Sequence, residues 1–338
     1  MKGLALLFGL LLLVLAAPVL WVETMCRPQG AADSYLSLVA PENRRPEGNT
    51  LMTWPEWQIV HAYEDYAKVI TTSDPQDYAF LPELGRFWSS TFALAKASGP
   101  HGGFSGESKQ TIYTIGVSFT LELGLKAAYE ETLGRLAVAL RGPNRADLDD
   151  ASAQMAGSYA AFLYQTPWYR WDFATDAARL SADTSPGLRN WERRTALGLE
   201  FRTKAAYAGL IAKAVAATGY DQLTMRSNVR GLPPEDLAKI PGVTVITNRP
   251  EGVEIETPRY AAFTDLAHLL ALRGVTFVEI AGNDDILYTA LSANPAEPGA
   301  LMDFPRQGFG DYRHLFLIKV AALSVALKAG GVEHIHDY

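Results

Sequence analysis

The spacing of apolar and polar positions divides the chain into an apolar N-terminal segment, a helical part and a part with short strands. Residues 3–22 carry no charged side chain, and about 20 apolar residues are enough to cross a bilayer core as a helix. Apolar residues at helical spacing then predict a series of helices. These cover residues 54–72, 81–96, 107–140, 146–164 and 188–218.

The pattern changes near Gly219, where short β-branched runs replace the helical spacing. Turn residues separate some of these runs at 249–252 and 282–285. The mixture predicts an α+β sheet with helices on one face. The predicted strands are 223–229, 243–247, 253–257, 275–281, 286–291 and 332–336, and the predicted helices are 260–273 and 312–329.

We therefore predict an α+β fold with an N-terminal transmembrane helix, a mainly α-helical domain with two similar helical hairpins, and then a smaller α+β domain. The segment after the apolar run is interrupted by proline and glycine, which is typical of a linker. The expected boundaries are 1–22 for a transmembrane anchor or signal segment, 23–50 for the linker, 51–219 for the helical domain and 220–338 for the α+β domain.

The apolar segment also predicts where the protein resides. Lys2 precedes it and Trp21 lies near its end, as in helices whose basic end stays inside and whose aromatic residues lie at the far interface. We favour an uncleaved anchor, because apolar residues continue through Val22. A cleaved signal peptide, cut after the small residues near Ala16, is the alternative. In both cases the bulk of the chain is expected to be extracytoplasmic (periplasmic), and the uncleaved helix would bind the membrane.

Composition and missing motifs exclude several classes of function. The net charge of −7 and the absence of a basic run argue against a nucleic-acid partner. The chain has no phosphate-binding loop, no dinucleotide-binding glycine pattern and no metalloprotease helix motif, and we expect no cofactor. Ser105 lies between predicted helices and lacks the strand-to-helix turn of a serine nucleophile. The single cysteine, Cys26, excludes an intramolecular disulfide framework.

A short pattern occurs twice on the long predicted helices. The pattern consists of Leu-Glu, three further residues and Lys-Ala-Ala-Tyr. It begins at Leu121 and again at Leu199. A weaker match lies upstream, where Tyr66-Ala67 and Tyr159-Ala160 each precede a proline and aromatic residues. The repetition predicts two similar helical units. Helical spacing places one Glu, one Lys and one Tyr from each copy on one stripe: Glu122, Lys126 and Tyr129, and Glu200, Lys204 and Tyr207.

Three interpretations of this stripe are open. Each Glu and Lys could form a surface pair on its own helix, worth about 0.3–0.5 kcal/mol. Alternatively, the two helices pack together, so that Glu122 meets Lys204 and Glu200 meets Lys126 in a partly buried network. In the third interpretation, the six residues line a pocket that binds a small ligand.

Two further groups are candidates for metal binding. His334 and His336 project from one face of the last predicted strand and could chelate a metal, with His314 or Asp311 as further ligands. Acidic residues of the strand region could instead hold Ca²⁺ or Mg²⁺ through oxygen ligands. These are Glu254, Glu256, Glu279, Asp284 and Asp285. The simpler interpretation of both groups is a solvated strand.

Aromatic residues crowd the segment after Pro167. Trp168, Tyr169, Arg170 and Trp171 are types that form cores, membrane interfaces and protein-binding surfaces, and we take them as a candidate partner-binding patch. The predicted function is that of a membrane-anchored extracytoplasmic accessory or assembly protein that binds an envelope protein without catalysis. The alternatives are a metal-assisted hydrolase of the envelope and a small-ligand binder with its pocket between the helical hairpins. Whether the protein is an enzyme is left open.

Overall fold

The computed structural model describes the backbone of residues 2–31, 35–44, 49–218 and 223–336, and side chains within 9–31, 35–44, 50–213 and 223–336. A mostly helical region, residues 9–213, precedes a C-terminal α+β region with two four-stranded antiparallel sheets. The order of helical and mixed regions that the sequence predicts is confirmed.

The long helices of the N-terminal region lie close to their predicted positions. Two short helices were not predicted, because about one to three turns offer too few apolar repeats to be recognised. The helices are α1 (Lys2–Met25), α2 (Asn49–Met52), α3 (Trp54–Thr72), α4 (Phe80–Ala97), α5 (Gly106–Tyr129), α6 (Arg135–Arg141), α7 (Asp147–Leu163), α8 (Phe173–Ala182) and α9 (Leu188–Thr218).

A π-helical turn, Glu130–Gly134, interrupts the helix predicted over 107–140 and separates α5 from α6. A Cβ atom at Gly134 would lie too close to the Glu130 carboxylate, so the glycine leaves room for that side chain in its present position. Glu130 is only 1% exposed. The wider turn of a π helix changes which residues share a face, and it directs Glu130 into the protein.

Two of the helix–helix contacts position the elements around the candidate site. Helices α3 and α7 lie against each other. Helix α5 approaches α4 at Gly116, where a Cβ atom would lie 2.7 Å from the Phe87 ring and 2.9 Å from the Trp88 ring. Gly116 therefore sets the distance between these two helices.

Among the described side chains of α1, those near its end pack against the body. Val22 and the following Cys26 are buried, and Glu23 pairs with Lys109 of α5 at 2.8 Å. Upstream, four leucines of α1 are at least half exposed: Leu10, Leu12, Leu13 and Leu20. Among the described residues, no helix meets both the length and the apolarity needed to cross a membrane.

The α+β region contains two antiparallel sheets, with strand orders β2-β3-β1-β4 and β6-β7-β5-β8. The hairpin predicted at 249–252 joins β2 to β3. The elements are β1 (Thr224–Arg230), α10 (Pro234–Leu237), β2 (Thr244–Arg249), β3 (Gly252–Pro258), α11 (Ala261–Leu272), β4 (Thr276–Ile280), β5 (Asp285–Ser292), β6 (Met302–Pro305), β7 (Tyr312–Lys319), α12 (Val320–Ala329) and β8 (Val332–His336).

Two predictions for this region were wrong. The expected helix 312–329 is a strand followed by a helix, β7 and α12, and the expected single sheet is two sheets. Strand β7 lies between β5 and β6, and much of both of its faces is covered. Its apolar residues therefore do not alternate with polar ones, and the segment has the sequence pattern of a buried helix. The edge strand β6 was not predicted, because four residues are too few to show an alternating pattern.

The two regions share a hydrophobic core. Trp54 and Trp57 of α3 pack in one cluster with Leu287 of β5 and Leu315 of β7. A second cluster lies within the α+β region, where α11 and α12 cover the strands. The apolar contact between α3 and the second sheet therefore fixes the helical region to the α+β region.

Residues 35–44, inside the predicted linker, lie against the first sheet. The carboxylate of Glu279 on β4 accepts hydrogen bonds from the backbone N–H groups of Leu38 at 2.8 Å and Val39 at 2.6 Å. The Tyr35 hydroxyl donates to the same carboxylate at 2.5 Å. Both Glu279 and Val39 are fully buried, so this part of the segment is attached to the body.

Candidate functional site

Helices α5 and α9 face each other through two crossed ion pairs. Lys204 Nζ lies 2.6 Å from Glu122 Oε1, and Lys126 Nζ lies 3.0 Å from Glu200 Oε2. Lys204 also pairs with Glu200 of its own helix at 3.0 Å. The crossed pairing predicted from the two copies of the sequence pattern is confirmed. Each lysine side chain is only 13% exposed, so the network is not a solvated surface pair.

Opposite charges outweigh the effect of burial on these groups. Burial raises the pKa of Glu200, but Lys126 and Lys204 lower it further, and the result is a pKa of about 2. Burial lowers the pKa of Lys204, but the Glu122 carboxylate raises it well above its usual range. Two lysines face two glutamates, so the ionised network has no net charge.

Aromatic rings surround both ammonium groups. Lys126 Nζ lies 4.8 Å from the centroid of the Tyr66 ring, and Lys204 Nζ lies 5.8 Å from that of Tyr159. These two tyrosines belong to the Tyr-Ala pairs that match in the sequence. The Tyr63 hydroxyl donates a hydrogen bond to Glu122. Cation–π contacts of this kind add to the stabilisation of a partly buried cation.

The charged network continues along the two helices beyond the predicted residues. Tyr129 donates a hydrogen bond to Glu192, and the Arg193 guanidinium pairs with Glu130 at 2.9 Å. Arg193 is 1% exposed; burial lowers its pKa, but Glu130 and Glu192 raise it above the usual range. The role of Glu130 could not be predicted from helical spacing, because the π turn places it on the face toward α9.

A cavity of about 310 Å³ lies beside the Glu122–Lys204 pair. Helices α3, α5, α7 and α9 and residues 166–169 form its walls, with Tyr260 closing one side. Glu56, Glu122 and Lys204 are the charged residues of this wall. Aromatic and aliphatic side chains form most of the remainder, including Trp57, Ile59, Ile115, Phe119, Leu163 and Ile211.

The cavity brings together residues that the sequence placed in two separate groups. Of the candidate ligand-binding residues, Glu122, Lys204 and Tyr207 line the cavity, as do Trp168 and Tyr169 of the candidate partner patch. The rings of Trp168 and Tyr207 stack with centroids 5.4 Å apart and planes 26° apart.

The other predicted residues lie nearby. Lys126, Tyr129 and Glu200 belong to the charged network behind the cavity wall. Arg170 is exposed, and Trp171 is half-buried and donates to Asp176 at 2.7 Å. A role of these residues in ligand or partner binding stays a prediction.

The predicted histidine pair lies in the interior. His334 and His336 share a face of β8, with ring centroids 5.1 Å apart, and pack against Trp57 of α3. Burial lowers the pKa of His334 to about 3 and that of His336 well below its usual value. His61 of α3 joins this cluster, and burial lowers its pKa to about 4. All three imidazoles are therefore neutral at pH 7.

Within the described residues, a different set of potential metal ligands converges. Donor atoms of His61, Glu64 and Glu333 lie within 4.8 Å of one another. However, Arg313 already pairs with Glu64 at 2.7 Å and with Glu333 at 2.6 Å. The further ligands proposed from the sequence do not reach the histidine pair on β8. The strand registers place His314 on the opposite sheet face from His334, and Asp311 pairs with Arg306 at 3.0 Å. The arrangement is that of an ion-pair network.

The acidic strand residues are also paired. Glu254 and Glu279 lie on either side of Asn228 in the first sheet. Arg249 binds Glu254 at 2.9 Å, and residues 35–39 bind Glu279. The remaining carboxylates have basic partners as well: Glu256 pairs with Arg226, Asp284 with Lys319, and Asp285 with His101 and Lys319. Their oxygens are occupied by these partners, which gives no support to a Ca²⁺ or Mg²⁺ site.

The chain matches no protein-family model, no curated protein and no solved structure. Within the described residues, the cavity between the helices is the best candidate for a binding site, because its wall consists mainly of apolar side chains and has a defined polar end.

Proposed function

We propose that the protein binds a small, mainly apolar molecule in the cavity between α3, α5, α7 and α9. The observation that carries this proposal is the composition of the wall, where aromatic and aliphatic side chains surround the Glu122–Lys204 pair. Ligand sites are typically concave, mostly apolar and equipped with few polar groups. The cavity volume of about 310 Å³ lies at the lower end of the range for such sites.

The charge distribution indicates what polar group the ligand carries. Lys204 is neutralised by Glu122 and Glu200, and Tyr63 donates to Glu122. A charged ligand would disturb this balance and would itself have to be desolvated. A ligand with an uncharged hydrogen-bonding group, such as a hydroxyl or carbonyl, fits better.

The location of the protein is part of the proposal. The uncharged run 3–22 and the exposed leucines of α1 support an N-terminal helix that enters the membrane, with the body extracytoplasmic. The end of α1 contacts α5, which also lines the cavity. A membrane-derived or membrane-soluble ligand would therefore meet the protein close to its site.

The two halves of the helical region are proposed to be equivalent units. Both run from a helix through a short 3₁₀ turn to a second helix and then a long helix, as α3-α4-α5 and α7-α8-α9. In both, the repeated lysine lies over the tyrosine of the earlier Tyr-Ala pair. The crossed ion pairs are then the contacts between the two long helices of a duplicated arrangement.

Fluorescence of 1-N-phenylnaphthylamine, an uncharged apolar dye, tests the cavity. The full chain is expected to enhance the dye fluorescence in a saturable manner, and Ile115→Trp, which fills the cavity, is expected to weaken binding at least tenfold. Leu125→Trp is the control, because Leu125 lies on the same helix and is 62% exposed. Equal dye binding by the wild type and a folded Ile115→Trp variant would contradict the proposal.

A second candidate function is binding of an envelope protein. A stripe of exposed leucines along α5, the π turn and α6 supports it: Leu125, Leu133, Leu136 and Leu140 are each more than half exposed. Exposed apolar surface of this kind is typical of interaction sites. Cross-linking from position 133 in intact membranes, compared with exposed Glu131 on the same turn, tests this function. A cross-link at both positions or at neither would count against it.

A further inference from the structure

Three side chains on the second sheet are hydrogen-bonded in a row. His314 Nδ1 on β7 lies 2.6 Å from Asp303 Oδ1 on β6. His314 Nε2 lies 3.0 Å from Ser292 Oγ at the end of β5. The carboxylate, the imidazole and the hydroxyl therefore follow one another in the order that activates a serine nucleophile.

The strand registers produce this arrangement. Asp303 is directly opposite His314 in the β6–β7 pair, and Ala290 is directly opposite His314 in the β5–β7 pair. Ser292 is two residues beyond Ala290, so its side chain lies on the same face. Because β7 separates β5 from β6, the imidazole lies between the other two groups on a rigid sheet.

Two neighbouring groups form hydrogen bonds with the Ser292 hydroxyl. Ser292 Oγ lies 2.7 Å from Glu297 Oε1, so Glu297 competes with His314 for the hydroxyl proton. The backbone N–H of Asn294 donates to Ser292 Oγ at 3.1 Å.

The same sheet face offers an apolar surface beside the serine. The half-buried rings of Tyr288 and Phe316 stack with centroids 5.0 Å apart, and the Tyr312 ring stacks on His314 at 6.5 Å. His314 is fully buried, whereas Ser292 is partly exposed. A small acyl group could lie on the rings while its carbonyl carbon faces Ser292.

We propose that Ser292, His314 and Asp303 form an acyl-transfer site that hydrolyses esters of small apolar acids. Ser292 Oγ attacks the ester carbonyl carbon, and its proton passes to His314 Nε2 while Asp303 stabilises the imidazolium. Collapse of the tetrahedral intermediate breaks the bond to the alcohol, which takes the proton from Nε2. Water then attacks the acyl-serine, with His314 again accepting and returning the proton, and releases the acid.

Labelling of the purified full chain with a fluorophosphonate probe, together with hydrolysis of p-nitrophenyl butyrate, tests this site. We expect the label on the peptide that contains Ser292, and an ester hydrolysis rate at least about 100-fold lower in Ser292→Ala and His314→Gln, in line with the loss of a nucleophile or general base. Glu297→Gln is expected to increase the rate, because its neutral amide oxygen is a weaker acceptor than the carboxylate and competes less with His314 for the hydroxyl proton. Ser89→Ala is the control, since the exposed Ser89 hydroxyl donates to the backbone carbonyl of Arg86.

Circular dichroism and thermal melting separate this proposal from a purely structural role. If the three residues only fasten the segment after β5, Ser292→Ala lowers the melting temperature and leaves the ester hydrolysis rate and labelling unchanged. That result, or a label found elsewhere on a folded wild-type chain, would overturn the acyl-transfer site. Neither outcome depends on the cavity between the helices, so this test is independent of ligand binding there.

Discussion

Glu200 of α9 accepts hydrogen bonds from Lys126 Nζ of the facing helix at 3.2 and 3.0 Å. The same carboxylate pairs with Lys204 at 3.0 Å. One glutamate thus neutralises two largely buried ammonium groups. Because both lysines come from the repeated pattern, this carboxylate connects the two copies.

Glu200→Gln is expected to lower the free energy of unfolding by about 2–3 kcal/mol. Removing one member of a fully buried pair costs about 3–5 kcal/mol, and the Glu200 side chain retains 24% exposure, which reduces the cost. Urea denaturation at pH 7 measures the change. The conservative variant Glu131→Gln in the π turn after α5, where the pair with Arg135 is about half exposed, is expected to change stability by less than about 0.5 kcal/mol. Equal effects of the two variants would contradict the buried network.

Acid titration gives a second expectation for Glu200. Its pKa of about 2 in the folded protein lies below the ordinary value of about 4.3 in an unfolded chain. The stability that this shift contributes is present above pH 4.3 and is lost as the pH falls toward 2. The difference in unfolding free energy between the wild type and Glu200→Gln is therefore expected to shrink over this range. A constant difference between pH 5 and pH 2.5 would show that ionisation of Glu200 does not stabilise the fold.

Arg193→Met is expected to destabilise the protein by about 3–5 kcal/mol, because it leaves the buried Glu130 without the guanidinium that pairs with it, while Glu192 retains Arg189. The matched control is Arg135→Met, whose guanidinium is 57% exposed. Thermal melting compares the two. A smaller effect for Arg193→Met than for Arg135→Met would mean that the charged network between α5 and α9 is not formed as described.

Two glycines on α5 are expected to respond in opposite directions to alanine. Gly116→Ala would place a methyl group 2.7 Å from Phe87, so we expect a loss of about 1–3 kcal/mol through overpacking. A Cβ atom added at Gly124 would meet no atom within 4 Å, and Gly124→Ala is expected to gain up to about 1 kcal/mol from helix propensity. Chemical denaturation of both variants checks the α4–α5 packing, and a stabilised Gly116→Ala would refute it.

His336→Phe is expected to leave stability at pH 7 unchanged or to raise it slightly. Among the described residues, neither ring nitrogen of His336 has a hydrogen-bond partner, and both are buried. The ring packs edge-on against Trp54, so an apolar ring removes unsatisfied groups. Its pKa is lowered in the folded state. The wild type therefore loses stability from this residue as the pH falls below about 6.5, and the variant does not.

Thermal melting between pH 7.5 and 4.5, with elemental analysis of the purified wild type and variant, checks this expectation. A bound metal that disappears in His336→Phe, together with a lower melting temperature, would instead support the metal-assisted hydrolase that the sequence left as an alternative.

The sequence predicted the main helices because helical spacing is a strong signal over many turns. Leu188–Thr218 and Trp54–Thr72 each extend over several repeats. The two copies of one pattern offered the pairing of Glu122 with Lys204 as one of three interpretations, and the spacing alone could not choose between them. By contrast, the π turn that directs Glu130 inward depends on packing at Gly134. The spacing of apolar residues along the sequence carries no information about that packing.

The candidate sites were less predictable, because each of them combines residues that are far apart in the sequence. The repeated pattern pointed to Glu122, Lys204 and Tyr207 in the cavity wall, but no local pattern marks the parts of the wall that α3 and α7 contribute. Ser292, Asp303 and His314 come together only through the registers of three strands. One of these strands, β6, is very short, and β7 was predicted as a helix, so His314 could not be placed beside Ser292.

The attachment of residues 35–44 to Glu279 has a mechanical consequence. The N-terminal helix is held at α5 by Glu23, and the chain that follows is held again at the first sheet. With α1 embedded in a bilayer as proposed, the body could not swing freely on a loose tether. The tilt of the helix would set the height and orientation of the cavity above the lipid headgroups.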